Sequence, residues 1–440
     1  MSYYSRSKAT KKAGMTETGT SRAVDELDIT NPDRWAAEGY PWDAFKVFRR
    51  EAPIYWYERE GVEPFWSFAK QNEMHFISRH PRQFSSEGRR LVIGPSVERR
   101  GEEYADQGRS IITTDPPLHG IHRGLVNKLF TPHGVERLRP RIEEIVDQVI
   151  DDLIEEKTDP ATGVGHCDFV LDVSARLPLY LTCELLGVPR EDAPRMFELT
   201  NITLGAADPE YNKGKTPQEA AREASDEQRR FFRELLEKRR EDPKDDITSI
   251  YLSSRIKGEP LKDNHVLAEM GLIMAGGFET TRNATSGGML GLIQNPDQYD
   301  ILLANPTEVM PTLVEEALRW STPIIHFGRD CIEDIEVGGV LVRKGQTICM
   351  WYASGNRDED VFENPDVFDI QRTPNNHVTF GGFGEHYCIG ANLARMSMKT
   401  MYTKLVARIE RFELNGEPQR LRSFFLGGIK HMPVSFRVRN

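Results

Sequence analysis

The segment Thr379 to Met396, TFGGFGEHYCIGANLARM, constrains this chain more than any other. Gly381, Gly382, Gly384 and Gly390 surround one cysteine, Cys388, and apolar helix-forming sequence follows. Glycines permit tight turns and let a flat ligand approach the backbone. A sulfur at a helix N-terminus meets free backbone N–H groups and the positive dipole end, which favour thiolate over thiol. A lone cysteine is ordinarily a buried structural residue. The clustered glycines point instead to a ligand, and an anionic sulfur is what a haem iron takes from cysteine.

At 440 residues the chain is long enough to bury a large core and enclose a cofactor. Its net charge of -11 argues against whole-surface attraction to nucleic acid or anionic lipid. The five cysteines are scattered, with no CxxC pair, which fits a reducing cytoplasm. The first 22 residues lack an apolar core segment, so they form neither a secretory signal nor a membrane anchor. Their polar, basic content predicts a disordered tail, and residues 1–28 are set apart from a folded unit at 29–440.

Along that unit, Trp42 to Arg50 patterns as a short amphipathic helix, and PIYWYER and FWSFAK as paired strands. Residues 85–112 carry few periodic apolar positions and predict a functional or mobile segment. Helical spacing dominates from Pro117 to Arg240. A long helix is expected from Asp263 to Gln294, capped by Asp263 or Asn264 and stopped near Pro296. Another is expected over Pro306 to Trp320. Short strands fit HFGRDC, IEVGG, VLV and QTICMWY, and a last helix should run from near Gly390 to about Arg411. Val266 to Ile293 is the most apolar stretch, but Glu269, Glu279, Arg282 and Asn283 make it a buried helix rather than a membrane span.

Within the long helix, GGFETT (Gly276 to Thr281) sets two glycines side by side, each costing about 1 kcal/mol relative to alanine. Close approach of another group to the backbone would compensate. Glu279 beside Thr280 puts a carboxylate next to a hydroxyl, suited to relaying protons or orienting water; a core threonine beside an outward glutamate is the structural alternative. His119 and Arg123 stand four residues apart on one helix face, as anion-binding donors would. Glu316 and Arg319 lie one turn apart and can pair.

The cysteine segment resembles the haem-binding loop of cytochromes P-450, with Gly384, His386, Cys388 and Gly390 matching Gly-x-His-x-Cys-x-Gly in register. Phe380 stands one position earlier than the commonest spacing, where this chain has Gly381. Gly276, Gly277, Glu279 and Thr280 match the family's oxygen-binding stretch, and Glu316 and Arg319 its Glu-x-x-Arg pair, with Arg372 as third member. The resemblance covers about residues 30 to 438. It implies a mainly α, helix-rich triangular domain with a small β-rich lobe.

The implied cofactor is haem b (iron protoporphyrin IX), with Cys388 as the metal ligand and His119, Arg123, Arg329 and His386 reaching its propionates. The implied reaction inserts one oxygen atom from O₂ into a C–H bond of a hydrophobic substrate, Thr280 and Glu279 handling oxygen and protons. A separate ferredoxin with its reductase would supply electrons to a monomer. WYASGNRDE, CIGANLARM and LGGIKHMPV resemble bacterial members acting on steroid side chains or acyclic terpene alcohols. The pocket would draw on residues 85–112 and 199–204, Met274, Phe278, Ile324, Ile325 and Phe425, with His326 and Thr203 either as donors to a polar end or turned to the scaffold. A non-catalytic haem sensor and a peroxide-dependent haem enzyme are the other functions such a chain could serve.

Overall fold

The computed structural model describes residues 24–87, 91–94 and 108–439. Val24 is already buried and packs with Ile29 and Trp35 in one core cluster, so residues 24–28 belong to the folded unit rather than to the tail. Residues 1–23 of the tail expected at 1–28, and most of the 85–112 segment, lie outside the described residues.

Helix α1 (Trp42–Glu51) buries Phe45 and Phe48 and leads into the antiparallel strands β1 (Ile54–Tyr57) and β2 (Phe65–Phe68). Helix α2 (Gln71–Arg79) and the two-residue strand β3 (Phe84–Ser85) follow. The helical layer begins with α3 (Leu118–Phe130) and α4 (Arg139–Lys157). On α4, Ile142, Ile145, Val146, Val149, Ile150 and Leu153 recur at helical spacing and are all buried, which fixes the face it turns inward. Strand β4 (Val164–Asp168) interrupts the helices before α5 (Arg176–Leu186), α6 (Ala193–Gly205) and α7 (Pro217–Glu241).

The 32-residue α8 (Asp263–Gln294) runs through the middle, packed against α5 and against α9 (Pro306–Ser321). Its predicted limits hold, but its cap does not. Lys262 occupies the N-cap without a side-chain bond, and Asp263 is inside the first turn, paired with Arg240. The acid there acts on the helix dipole rather than on an orphan N–H.

The β-rich lobe is built from β5 (His326–Cys331), β6 (Ile335–Val337), β7 (Val340–Val342) and β8 (Thr347–Trp351). Its main sheet runs β1-β2-β8-β5-β3, with β8 parallel to β2 and antiparallel to β5. Helix α10 (Ala391–Arg408) follows the cysteine segment and ends three residues earlier than its sequence suggested. Ile409 there begins β9 (Ile409–Leu414), which pairs with β10 (Pro433–Val438), and β10 in turn pairs with β4. The result is the expected helix-rich fold with a small β-rich lobe. Among the described residues no helix is long and apolar enough to cross a membrane.

Glu316 and Arg319 of α9 meet in the interior, both fully buried, through two bonds of 2.7 Å. Arg372 approaches the same carboxylate at 3.3 Å, and Asn375 and the Asp369 N–H donate to it at 2.9 Å. Removing one partner of a buried ion pair leaves an uncompensated charge, at a cost of about 3–5 kcal/mol. Glu316→Ala is therefore expected to lose stability on that scale in urea denaturation; a loss below about 1 kcal/mol would place the pair among ordinary surface bridges.

Candidate active site

Cys388 sits at the start of α10, its N–H donating to the Phe380 carbonyl at 2.9 Å, so the preceding loop closes over it. Burial pushes the thiol's pKa up, while the Gly390 N–H and the cations Arg123 and Arg395 pull it down. Enough protein surrounds Cys388 for burial to raise its thiol pKa, yet the residue keeps exposed surface, so it borders open space. The other cysteines are buried or half-buried.

The two glycines in the middle of α8 have different reasons to be there. A Cβ at Gly277 would come within 2.8 Å of Thr182 Oγ1, a close approach of α5. A Cβ at Gly276 would meet nothing within 4 Å, and Gly276 is exposed although Met274 and Phe278, two positions to either side, are buried. Ile389 and Leu393, beside Cys388, pack on the cluster that contains Met274 and Phe278 of α8. The void at the sulfur and the open side of α8 thus border one core cluster.

His119, Arg123, Arg329 and His386 come from α3, β5 and the cysteine loop and converge. The rings of His119 and His386 lie 4.3 Å apart. Burial and then Arg329, His119 and Arg123 hold the His386 pKa down to about 2; burial and then Arg123 hold His119 down to about 4. Burial also lowers both arginines. His386 Nε2 bonds Ser86 Oγ at 3.1 Å, and Arg329 donates to the Gly328 carbonyl at 2.7 Å. Among the described residues neither Arg123 nor Arg329 has an ion-pair partner; the nearest carboxylate to the histidines is Glu385, 3.8 Å from His119. Buried cations without anions call for an anionic ligand. A flat macrocycle with two carboxylates and one axial sulfur meets all three features: cation cluster, void and thiol. No cluster of three or more His, Cys, Asp or Glu able to hold a bare metal ion occurs among the described residues.

Glu279 and Thr280, adjacent in sequence, part company in the structure. Thr280 Oγ1 donates to the Gly276 carbonyl at 2.7 Å and keeps some exposed surface. Glu279 is almost fully buried; its Oε2 accepts from Arg282 at 2.5 Å, and its Oε1 has no partner. Arg282 also donates to Asn201 Oδ1 of α6 at 3.0 Å. Burial raises the Glu279 pKa, and Arg282 only partly offsets it. Sequence reasoning passed over Arg282 and Asn201; the i,i+3 spacing of Glu279 and Arg282 carried the signal for the first. Asn201 left none, since only the packing of α6 on α8 brings it in.

The expected pocket residues separate as well. Met274, Phe278 and Ile325 are completely covered, whereas Ile324 and Phe425 keep accessible surface. His326 accepts from the Ile93 N–H at 3.1 Å and bonds the Phe424 carbonyl at 3.1 Å, and burial lowers its pKa to about 3. Thr203 Oγ1 donates to the Leu199 carbonyl. Both groups are thus engaged by the backbone.

This helix-rich fold carries a cysteine at the start of a helix, with two arginines and two histidines gathered beside it. The Cytochrome P450 family model matches residues 64–429. The chain is 35% identical to a linalool 8-monooxygenase of Pseudomonas putida over 93% of its own length and 99% of the relative's. It is 34% identical to a steroid C26-monooxygenase of Rhodococcus jostii, over 94% and 85%. A Mycobacterium marinum cytochrome P450 solved in complex with pseudoionone superposes with a TM-score of 0.85 at 30% identity, covering 93% of this chain and 98% of that one. The chain belongs to the cytochrome P450 family, which implies a haem b cofactor and an oxidoreductase activity.

A charge-assisted hydrogen bond contributes about 1.5–3 kcal/mol. Arg123→Gln together with Arg329→Gln is therefore expected to speed haem loss to apomyoglobin by roughly tenfold or more; an unchanged rate would remove these residues from cofactor binding.

Proposed function

We propose that this protein is a monooxygenase that inserts one oxygen atom of O₂ into a C–H bond of a terpenoid or steroid-like substrate. A separate ferredoxin and its reductase supply the electrons. The exposed Cys388, beside two arginines without ion-pair partners among the described residues and two histidines, carries this proposal. The names of the linalool and steroid relatives support the substrate class, and the accessible surface of Ile324 and Phe425 suits an apolar molecule. We place the protein in the cytoplasm as a monomer; its five unpaired cysteines support the compartment.

In this proposal Cys388 binds the iron, and His119, Arg123, Arg329 and His386 hold the propionates. Bound haem supplies oxygen activation, the thiolate promoting O–O cleavage. Thr280 keeps accessible surface on α8 and could exchange its bond to the Gly276 carbonyl for one to O₂ or a water molecule. Glu279 holds a proton readily because burial raises its pKa, and it must leave Arg282 to hand that proton on. His326 and Thr203, engaged by backbone groups, leave a substrate's polar end to other residues.

The reduced protein exposed to carbon monoxide should show the strongly red-shifted Soret band of cysteine-ligated haem, and Cys388→Ala should abolish it. A histidine-type band in the native protein would overturn the assignment. Thr280→Ala should retain haem but divert reducing equivalents to hydrogen peroxide, measured as peroxide formed per NADH consumed. Full coupling in that variant would remove Thr280 from oxygen handling.

A further inference from the structure

The segment that follows α6 is clamped by charge to the strand pair Gln419–Arg420 and Ile429–His431. Asp208, only 2% exposed, accepts from Lys430 Nζ at 2.9 Å and from the Arg422 N–H at 2.9 Å. The Arg422 side chain donates to the Ala207 carbonyl at 2.8 Å and pairs with Asp33. Lys430 also pairs with Glu210 at 2.8 Å. The end of α6 packs on the strand pair itself, since a Cβ at Gly205 would stand 3.1 Å from Leu421. Residues 199–204 lead directly into the clamped segment, and Phe425 lies in the loop of the strand pair. The clamp thus ties together two of the expected pocket walls.

His431 stands at the outer edge of this clamp, between two carboxylates. Its Nδ1 lies 2.7 Å from Asp168 Oδ2 and its Nε2 lies 2.9 Å from Glu210 Oε1. Ionised carboxylates only accept, so an imidazole serves both at once only as the doubly protonated cation. Burial opposes that charge, but Glu210 and Asp168 outweigh it and raise the His431 pKa. The two carboxylates belong to different parts of the fold. Asp168 ends β4 and also accepts from the Val170 and Met432 N–H groups, which fixes it. Glu210 lies on the short helix Pro209–Asn212, in the segment between α6 and α7.

On the β4 side Asp168 is flanked by His166, bonded to Asn415, and by Asp172, paired with Lys157. Within the strand pair the neighbouring charges are Lys430, Arg420 and Arg422. Without the proton on His431, Lys430 is the only side-chain cation paired with Asp208 and Glu210 among the described residues. Asp168 and Glu210 then lose the group that joins them.

We infer that the 206–212 segment is a pH-responsive latch on the substrate pocket, closed while His431 bridges Asp168 and Glu210 and released when that bridge is lost. Its role in access rests on the pocket proposed above; the latch itself rests on these charges alone. A group whose pKa rises on closure supports the closed form fully below its open-state value, about 6.5 for histidine. That support is lost as pH rises through the closed-state value. The latch is therefore closed in acid and loosens in mildly alkaline solution.

Amide hydrogen exchange of the haem-loaded protein over residues 199–214 tests the latch, at about pH 6 and about pH 9, corrected for the intrinsic chemical rate. Tyr211 and Asn212 report directly, because their N–H groups bond the Asp208 carbonyl. Loss of one charge-assisted bond corresponds to about tenfold or more, so native exchange should be about tenfold faster at the higher pH. His431→Gln should exchange fast at both pH values and His431→Arg slowly at both, with α4 unchanged throughout. Equal native rates at the two pH values would overturn the latch. So would a native pH step that survives in His431→Arg, or slow exchange at both pH values in His431→Gln. Stopped-flow binding of tebuconazole, a triazole that stays neutral over this range, reads access to the pocket. Its association rate should rise with pH in the native protein and stay low in His431→Arg, while carbon monoxide rebinding is unchanged. Exchange that follows the expected pattern beside a tebuconazole rate that does not would overturn the role in access. A native protein without the cysteine-type carbon monoxide band would overturn the proposed function, while exchange would still decide the latch.

Discussion

Arg319 uses all five of its N–H donors: two on Glu316, and one each on the carbonyls of Asn356, Pro365 and Val367. Asn356 then passes the order on. Its side chain accepts from the Val378 N–H at 2.7 Å and donates to Thr379 Oγ1 at 2.9 Å, and Thr379 bonds the Leu318 carbonyl. The first residues of the cysteine loop are thereby tied to α9 on two sides. Glu315, the neighbour of Glu316, reaches the far side: it pairs with His377 before the loop and with Arg395 after it. Burial opposes its ionisation, but those two partners win and hold the Glu315 pKa down to about 2. A glycine-rich loop has little stiffness of its own. Two adjacent glutamates on one helix supply what holds it.

The charge distribution around the cysteine follows from the same need to fix a cofactor without building a closed metal cage. Two arginines and two histidines share this corner, and the arginines lower the proton affinity of both histidines. Such a corner is costly alone and becomes favourable when an anion enters it. The acid on α8 is managed in the opposite way. Glu279 is kept beside Arg282, and Arg282 is tied to Asn201 on α6, so the position of α6 bears on the proton held there. Thr280 is free of that network and points to the open side.

Much of this was legible because it is local. The limits of α8, strand β5 as HFGRDC, and the pairing of Glu316 with Arg319 all depend on spacing within one or two turns, or on short apolar runs. What failed depended on distant partners. Strand β4 went unseen inside a helical region because, among the described residues, its partner strand is β10, far later in the chain. The end of α10 was placed too late for the same reason, since Ile409 continues the helical pattern but pairs with Val438. The cap of α8 was misassigned because Arg240 and Asp263 make an ion pair across helices. His326 looked available to a ligand, and only the neighbouring 91–94 and 424 backbone shows that it is not.

The sequence by itself determined the chemistry: one cysteine among glycines before a helix, donors for an anionic ring, and a hydroxyl within a glycine-broken helix. These are covalent patterns whose meaning survives any arrangement of the rest. Tertiary structure alone decided which of those groups face the void and which are engaged elsewhere. Burial and partnership are set by atoms far away in the chain, so Glu279 and Thr280, covalent neighbours, ended in different surroundings on the same helix.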